Sequence, residues 1–298
     1  MHLPRTLSFA AALLTLTMPA LAYAQAGQTT QAAYVERRGL LEVDARCQLL
    51  TPQARAAIEI GAAHARGLLR NAGWNENDVI ALDAAATNAA ARRACADARN
   101  TSAAADAEST YAAWRRLASM EFAGRERTWT ALRIPDPEGW LLRQDANGGA
   151  IFGVRQTADG QHLAIKLTMP ANQPPAAAAT LLMRDRTRTR LNLAPIPGQA
   201  SAGLASVAPY PASARRFLAN GWDRNVVADE QRTLVFSFPD AAFIALLALD
   251  PREAVEIRVG DGPNATRFFV EVGDLAAARA FLALDDATRA VSSTGSAR

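Results

Sequence analysis

The 298-residue chain has little of what most catalytic sites require. It contains two cysteines, three histidines and a single lysine. No Gly-X-Ser-X-Gly, His-Glu-X-X-His, EF-hand, Walker or Gly-X-Gly-X-X-Gly motif occurs, so the common nucleophile, metal and phosphate signatures are missing. A serine or cysteine nucleophile also needs a histidine base. Beyond the N-terminal segment the candidates are His64, aligned with apolar residues of a predicted helix, and His162, at a strand start. We therefore expect no cofactor, no metal site and no catalytic residues.

The chain also lacks a large excess of either positive or negative charge. There are 32 basic and 29 acidic residues, a net charge of +3. Nucleic-acid binding needs clustered excess positive charge, which such a balanced mixture does not supply. We expect no nucleic-acid partner.

The N-terminus, by contrast, has a recognisable pattern. It reads "MHLPRTLSFAAALLTLTMPALAYAQA", with Arg5, then an apolar run, then small residues. This is typical of a secretory signal peptide over residues 1–24, cut between Ala24 and Gln25. An uncleaved anchor is the alternative, but the polar residues weaken a run that would need about 20 apolar positions. The sequence predicts a periplasmic or secreted protein with no membrane span after cleavage.

Both cysteines follow this segment, at Cys47 and Cys95. An even count in an oxidising compartment favours a disulfide, whereas redox or metal chemistry would want closer spacing or accompanying histidines. The predicted bridge is structural.

Hydrophobic periodicity divides the rest into two parts and predicts an α+β fold. A helical bundle is expected over residues 30–122, with helices at Val35–Arg46, from Pro52 to Gly73, at Glu76–Ala98 and at Ser102–Ala118. A mostly antiparallel β-domain follows over residues 125–285. Short strands separated by Gly-, Pro- and Asp-rich turns predict a meander there, and a C-terminal helix capped by Asp274 closes the domain. Residues 286–298 are expected to be a disordered tail.

The segment "LMRDRTRTRLNL" places four arginines at alternate positions. If it is one strand, Arg184, Arg186, Arg188 and Arg190 share one face, which predicts either an anion or partner site or a charged edge strand. If the chain turns at Asp185, the shared face disappears. Trp222, in the polar stretch "NGWDRN", is a second candidate binding residue. Trp129 and Trp140, on consecutive predicted strands, are expected to pair across the sheet as core.

The stretches "LAIKLTMP", "PAAAATLLMRD", "LVFSFP" and "FFVEVGDLAAARAFLAL" resemble secreted bacterial proteins of the invasion-associated locus B type. The helical part, with "RCQLLTP" and "AWRRLASMEFAGRERTW", is similar to uncharacterised exported proteins of Gram-negative bacteria. Neither resemblance implies an enzyme family.

Together these patterns predict a non-catalytic binding or interaction protein of the bacterial envelope. The β-domain would contact the partner, an envelope protein or an anionic glycan or lipid headgroup, while the bundle supports it. A periplasmic hydrolase with dispersed carboxylates and a structural envelope factor are the alternatives, and the oligomeric state is left open.

Overall fold

The computed structural model of the chain describes residues 18–191, 193, 203–209 and 212–284, and their side chains except those of residues 18–28 and 263. Most of the predicted signal peptide and the whole of the predicted 286–298 tail lie outside these residues. Among the described helices, none is long and apolar enough to cross a bilayer.

The described residues form an α+β fold, as predicted. Four helices come first, a β-rich region follows, and a helix closes the described chain. The helices are α1 Met18–Cys47, α2 Pro52–Asn71, α3 Glu76–Ala91, α4 Ala98–Trp114, α5 Asp240–Leu247 and α6 at residues 275–284.

Local capping explains where α2 and α3 begin. The Thr51 side chain accepts a hydrogen bond from the backbone N–H of Ala54, and Pro52 occupies the first turn of α2, where its missing N–H costs nothing. Asn75 and Asp78 form a reciprocal capping box at the start of α3. Both predicted starts are confirmed, because capping depends only on neighbouring residues.

Several predicted helix bounds are wrong. Helix α1 begins at Met18 rather than Val35, and α4 spans Ala98–Trp114 rather than Ser102–Ala118. The third helix does not continue to Ala98 but stops at Ala91, because Asp97 caps a new helix by accepting from the backbone N–H of Arg99. The helical pattern also does not extend to Phe122. Residues Ser119–Ala123 form a strand whose Phe122 lies opposite Trp129 of the next strand, and both side chains are fully buried. Aromatic burial in the sheet decides the conformation here.

The Cys47–Cys95 disulfide is confirmed, with Cα atoms 5.6 Å apart. Cys47 ends α1, as expected. Cys95 lies in the connection between α3 and α4 rather than late in a third helix. The bridge therefore fixes this connection to the end of α1.

The described strands build two antiparallel sheets. The strands are β1 Ser119–Ala123, β2 Thr128–Leu132, β3 Trp140–Asp145, β4 Ile151–Thr157, β5 Gly160–Pro170, β6 Ala179–Arg184, β7 Ala214–Leu218, β8 Trp222–Ala228, β9 Gln231–Phe238, β10 Ala254–Val259 and β11 Thr266–Glu271. A seven-stranded sheet has the order β1-β2-β3-β4-β5-β9-β8, and a four-stranded sheet has the order β11-β10-β6-β7. The predicted meander corresponds to β2–β5, and the predicted C-terminal hairpin to β10 and β11.

One hydrophobic cluster runs from α1, α2 and α4 through both sheets to α6. Trp129 belongs to this cluster and donates its indole N–H to the carbonyls of Glu271 and Val272. Trp140 is equally buried but belongs to a separate small cluster with Ala164 and Val235. Both tryptophans are therefore core, as expected, but they do not pair with each other.

A buried carboxylate fixes the connection between β1 and β2. The Glu271 side chain accepts hydrogen bonds from the backbone N–H groups of Arg125, Glu126 and Arg127, at 2.6–2.8 Å. The carboxylate thereby satisfies three backbone N–H groups of the loop that would otherwise be left unpaired. Glu271 also links the first two strands to the end of β11.

Candidate functional site

The four alternating arginines do not share a strand face. Strand β6 ends at Arg184, and it is an inner strand of the four-stranded sheet, so the edge-strand account is also wrong. The backbone carbonyl of Asp185 accepts from the N–H groups of Arg188 and Thr189, and its carboxylate accepts from the N–H of Thr187. An aspartate side chain that accepts a hydrogen bond from the backbone N–H two residues later favours a turn over a continuing strand.

The turn sends these arginines to different environments. Arg184 makes two hydrogen bonds of 2.7 Å to the carboxylate of Glu253, and this pairing raises the pKa of Arg184 above its usual value. Arg188 is 81% exposed and lies 3.5 Å from Asp185. Arg190 is exposed. Arg186 is exposed, and no hydrogen bond or ion pair joins it to a described residue.

Arg184 and Arg186 line a cleft of about 550 Å³ between the helical part and the β part. Helix α2 forms one wall, and α6 together with the turn after α5 forms the other. Two further arginines, Arg66 and Arg70 of α2, complete a set of four, and we call this the arginine cleft. Its volume falls in the range of small-molecule sites, roughly 300–1,000 Å³.

Arg70 is a buried charged residue of the arginine cleft. The Arg70 side chain is 3% exposed and pairs with Asp250, which also accepts a 2.9 Å bond from Arg252. Burial, the largest effect, raises the pKa of Asp250, but the hydrogen bonds from Arg252 and Arg70 outweigh it, so the pKa is lowered. The buried Nε of Arg70 has no acceptor among the described residues. Asp250 is thus a carboxylate held between two guanidiniums.

A histidine–carboxylate pair lies where α2 meets the start of α6. The Nδ1 atom of His64 contacts Asp274, whose side chain is 2% exposed, and burial raises the pKa of Asp274 above its ordinary value. The His64 ring also packs edge-on against Phe122. A Cβ at Gly67 would overlap the Asp274 carboxyl group, so glycine permits this close approach.

His162, the other candidate histidine, is not among the described residues that line the arginine cleft. His162 lies on β5 opposite Arg155 of β4. Within the described part of the chain, no three His, Cys, Asp or Glu side chains are grouped as a metal site would require. No serine, threonine or cysteine is among the described residues that line the arginine cleft.

Sequence reasoning missed most of the arginine cleft. His64 and Asp274 are 210 positions apart, and Arg70 and Asp250 are 180 apart. No local pattern connects residues at such separations. Arg184 and Arg186 were both singled out from the sequence, but for a strand face that does not exist.

Trp222 lies in a strand rather than in the predicted polar loop. It begins β8, which forms an edge of the seven-stranded sheet and pairs, among described strands, with β9 alone. Every residue of β8 is exposed, including three large apolar ones, Trp222 at 44%, Val226 at 40% and Val227 at 53%. The Trp222 indole donates to the carbonyl of Ala176, which fixes the ring at one end of the strand.

No family model matches the chain, and no similar curated protein or solved structure was found. The resemblance to the invasion-associated locus B type therefore stays a prediction.

Proposed function

We propose that this protein is exported and acts as a non-catalytic binding protein of the bacterial envelope, with an envelope protein as its partner. The signal-like N-terminal segment and the disulfide support export, since disulfides persist in oxidising compartments. We further propose that the β part contacts the partner and that the helices support it.

The observation that carries this proposal is the composition of β8. An edge strand presents unpaired backbone groups, and natural proteins protect such edges with charges, prolines, bulges or covering elements. At its first residues β8 has a bulge and two exposed charged residues, Asp223 and Arg224. Val226 and Val227 beyond them carry no such protection and are exposed on successive positions, hence on opposite faces. An extended segment of a partner could pair with this edge and bury both valines.

The partner surface is tested by site-specific crosslinking. A photo-reactive amino acid placed at position 227 should give a discrete protein adduct in the envelope fraction. The same residue at Ile134, which is 74% exposed near the opposite edge of the sheet, is the matched control and should give none. Val226→Lys should abolish the adduct from position 227, because a charged edge resists strand pairing. Equal adducts from both positions would contradict the proposal.

Export and the absence of catalysis need separate measurements. Intact mass of the exported protein should correspond to a chain that starts at Gln25. A screen for esterase, glycosidase and peptidase activity should show no turnover. Robust turnover lost on substitution of one acidic residue would instead favour the hydrolase with dispersed carboxylates, and absence of any adduct would favour a structural envelope factor.

A further inference from the structure

The charged groups of the arginine cleft do not balance. Arg66 pairs with Glu76 at the mouth, Arg184 pairs with Glu253, and Asp274 pairs with His64. Asp250 is shared by Arg70 and Arg252.

Arg186 lines the same cleft and has no ion-pair partner among the described residues. Among the described lining residues, the cleft therefore holds four guanidiniums against three carboxyl groups, and Arg186 is the arginine of this set that can bind an added anion without giving up an ion pair to a described residue.

The rest of the lining is apolar. Ala63 of α2, Leu191 after the β6 turn, Leu247 and Leu249 around the end of α5, and Ala276 and Ala277 of α6 form the walls. A small inorganic anion would leave this apolar surface exposed to solvent, whereas a ligand with an apolar segment would bury it. Burial of apolar area is worth about 25 cal/mol for each Å².

We propose that the arginine cleft binds an amphiphile with one acidic headgroup, a carboxylate or a phosphate, and a short apolar chain. The headgroup contacts Arg186 at the mouth, where a planar guanidinium pairs with either anion through two parallel hydrogen bonds. The apolar chain lies along the alanine and leucine walls. This site is separate from β8, so it does not depend on the partner proposed above.

Calorimetric titration of the full exported chain tests the ligand class. Decanoate and decyl phosphate are the acidic probes, and the ratio of their affinities distinguishes a fatty acid from a lipid phosphate. Decanol lacks the charge, and acetate and inorganic phosphate lack the chain, so each should bind far more weakly. Octanoate should bind less tightly than decanoate, by up to about fourfold for each methylene removed. Added salt should weaken binding of both acidic probes.

Variants locate the headgroup. Arg186→Ser should weaken decanoate and decyl phosphate binding several-fold, up to about fivefold, which is the usual effect of losing an ion pair at an exposed guanidinium. Arg188→Ser is the matched control, because Arg188 lies in the same turn but outside the cleft, and it should change nothing. Glu76→Gln should tighten binding, since it releases Arg66 at the mouth.

Three outcomes would overturn the proposal. They are no binding of either acidic probe, acetate binding as tightly as decanoate, and equal losses in Arg186→Ser and Arg188→Ser. Arg186 is exposed and has no ion pair with a described residue, so its variant should keep the melting temperature of the parent chain.

Discussion

The helical part and the β part bury different kinds of side chain. Among the described residues, the largest fully buried side chains lie from β1 onward, with Leu69 of α2 as the exception. In the described part of the first four helices, seven buried alanines stand beside nine larger buried apolar side chains, none of which is a phenylalanine or a tryptophan. The buried alanines of these helices are Ala54, Ala57, Ala62, Ala65, Ala86, Ala90 and Ala107.

This difference shows how each part is stabilised. Large aromatic side chains bury 150–250 Å² each and dominate a core, whereas alanine buries little but permits close helix packing. The helices therefore depend more on cross-links, namely the disulfide, the Arg38–Asp83 and Arg55–Asp44 pairs, and the contact of α2 with the β part.

Removal of a core aromatic from the β part should have the largest effect. Trp129→Ala should lower the free energy of unfolding by about 3–5 kcal/mol, because it leaves a cavity and removes the indole hydrogen bonds to the carbonyls of Glu271 and Val272. Urea unfolding followed by circular dichroism measures the loss. Trp222→Ala is the control and should cost about 1 kcal/mol or less, since Trp222 is 44% exposed. Similar losses in both variants would contradict the assignment of Trp222 to the surface.

Removal of the disulfide should affect the helical part more than the β part. For a 48-residue loop the chain-entropy model gives roughly 4 kcal/mol, and strain or residual structure usually reduces this to about 2–4 kcal/mol. In the Cys47→Ser/Cys95→Ser variant, hydrogen exchange should show larger losses of protection in α3 and α4 than in β4 and β5. Reduced parent protein should behave in the same way. An equal loss of hydrogen-exchange protection in the helical part and the β part would mean that the disulfide does not stabilise the helices in particular.

The smallest expected effect concerns a buried charge in the β part. Glu256 is 1% exposed and bonds Arg258 and Arg267. Burial, the largest effect, raises its pKa, but the two arginines together lower it below the ordinary value of 4.5. The pairing therefore stabilises the fold above about pH 4.5, and this contribution is lost as the pH falls through the lowered pKa.

Stability measured from pH 7 to pH 3 tests this sign. Glu256→Gln should lower the free energy of unfolding at neutral pH, because it removes both ion pairs. The loss should be only about 1 kcal/mol, since solvent around the two partly exposed arginines screens these pairs. The variant should also lose less stability than the parent between pH 4.5 and pH 3. Asp106→Asn, an exposed carboxylate of α4, is the control and should leave the curve unchanged. If the stability of Glu256→Gln fell as steeply with decreasing pH as that of the parent, Glu256 would not be the source of this pH dependence.

Much of the fold was accessible from short patterns. The starts of α2 and α3 follow from Thr51 and Asn75, because a cap acts on backbone groups only two or three residues away. The meander β2–β5 and the β10–β11 hairpin follow from alternation and turn residues. Strands β1, β7 and β8 were missed, since each is an edge strand held by pairing with one neighbouring strand rather than by an apolar pattern of its own.

The sequence by itself determined the class of fold, the disulfide and the local starts of its elements, because these depend on nearby residues or on the two cysteines present. The tertiary structure alone decided that β6 ends at Arg184, that Arg186 faces a cleft, and that His64 meets Asp274 across 210 positions. The physical reason is that long-range contacts depend on how helices and sheets pack, and that packing follows from the burial of the whole apolar surface rather than from any short segment.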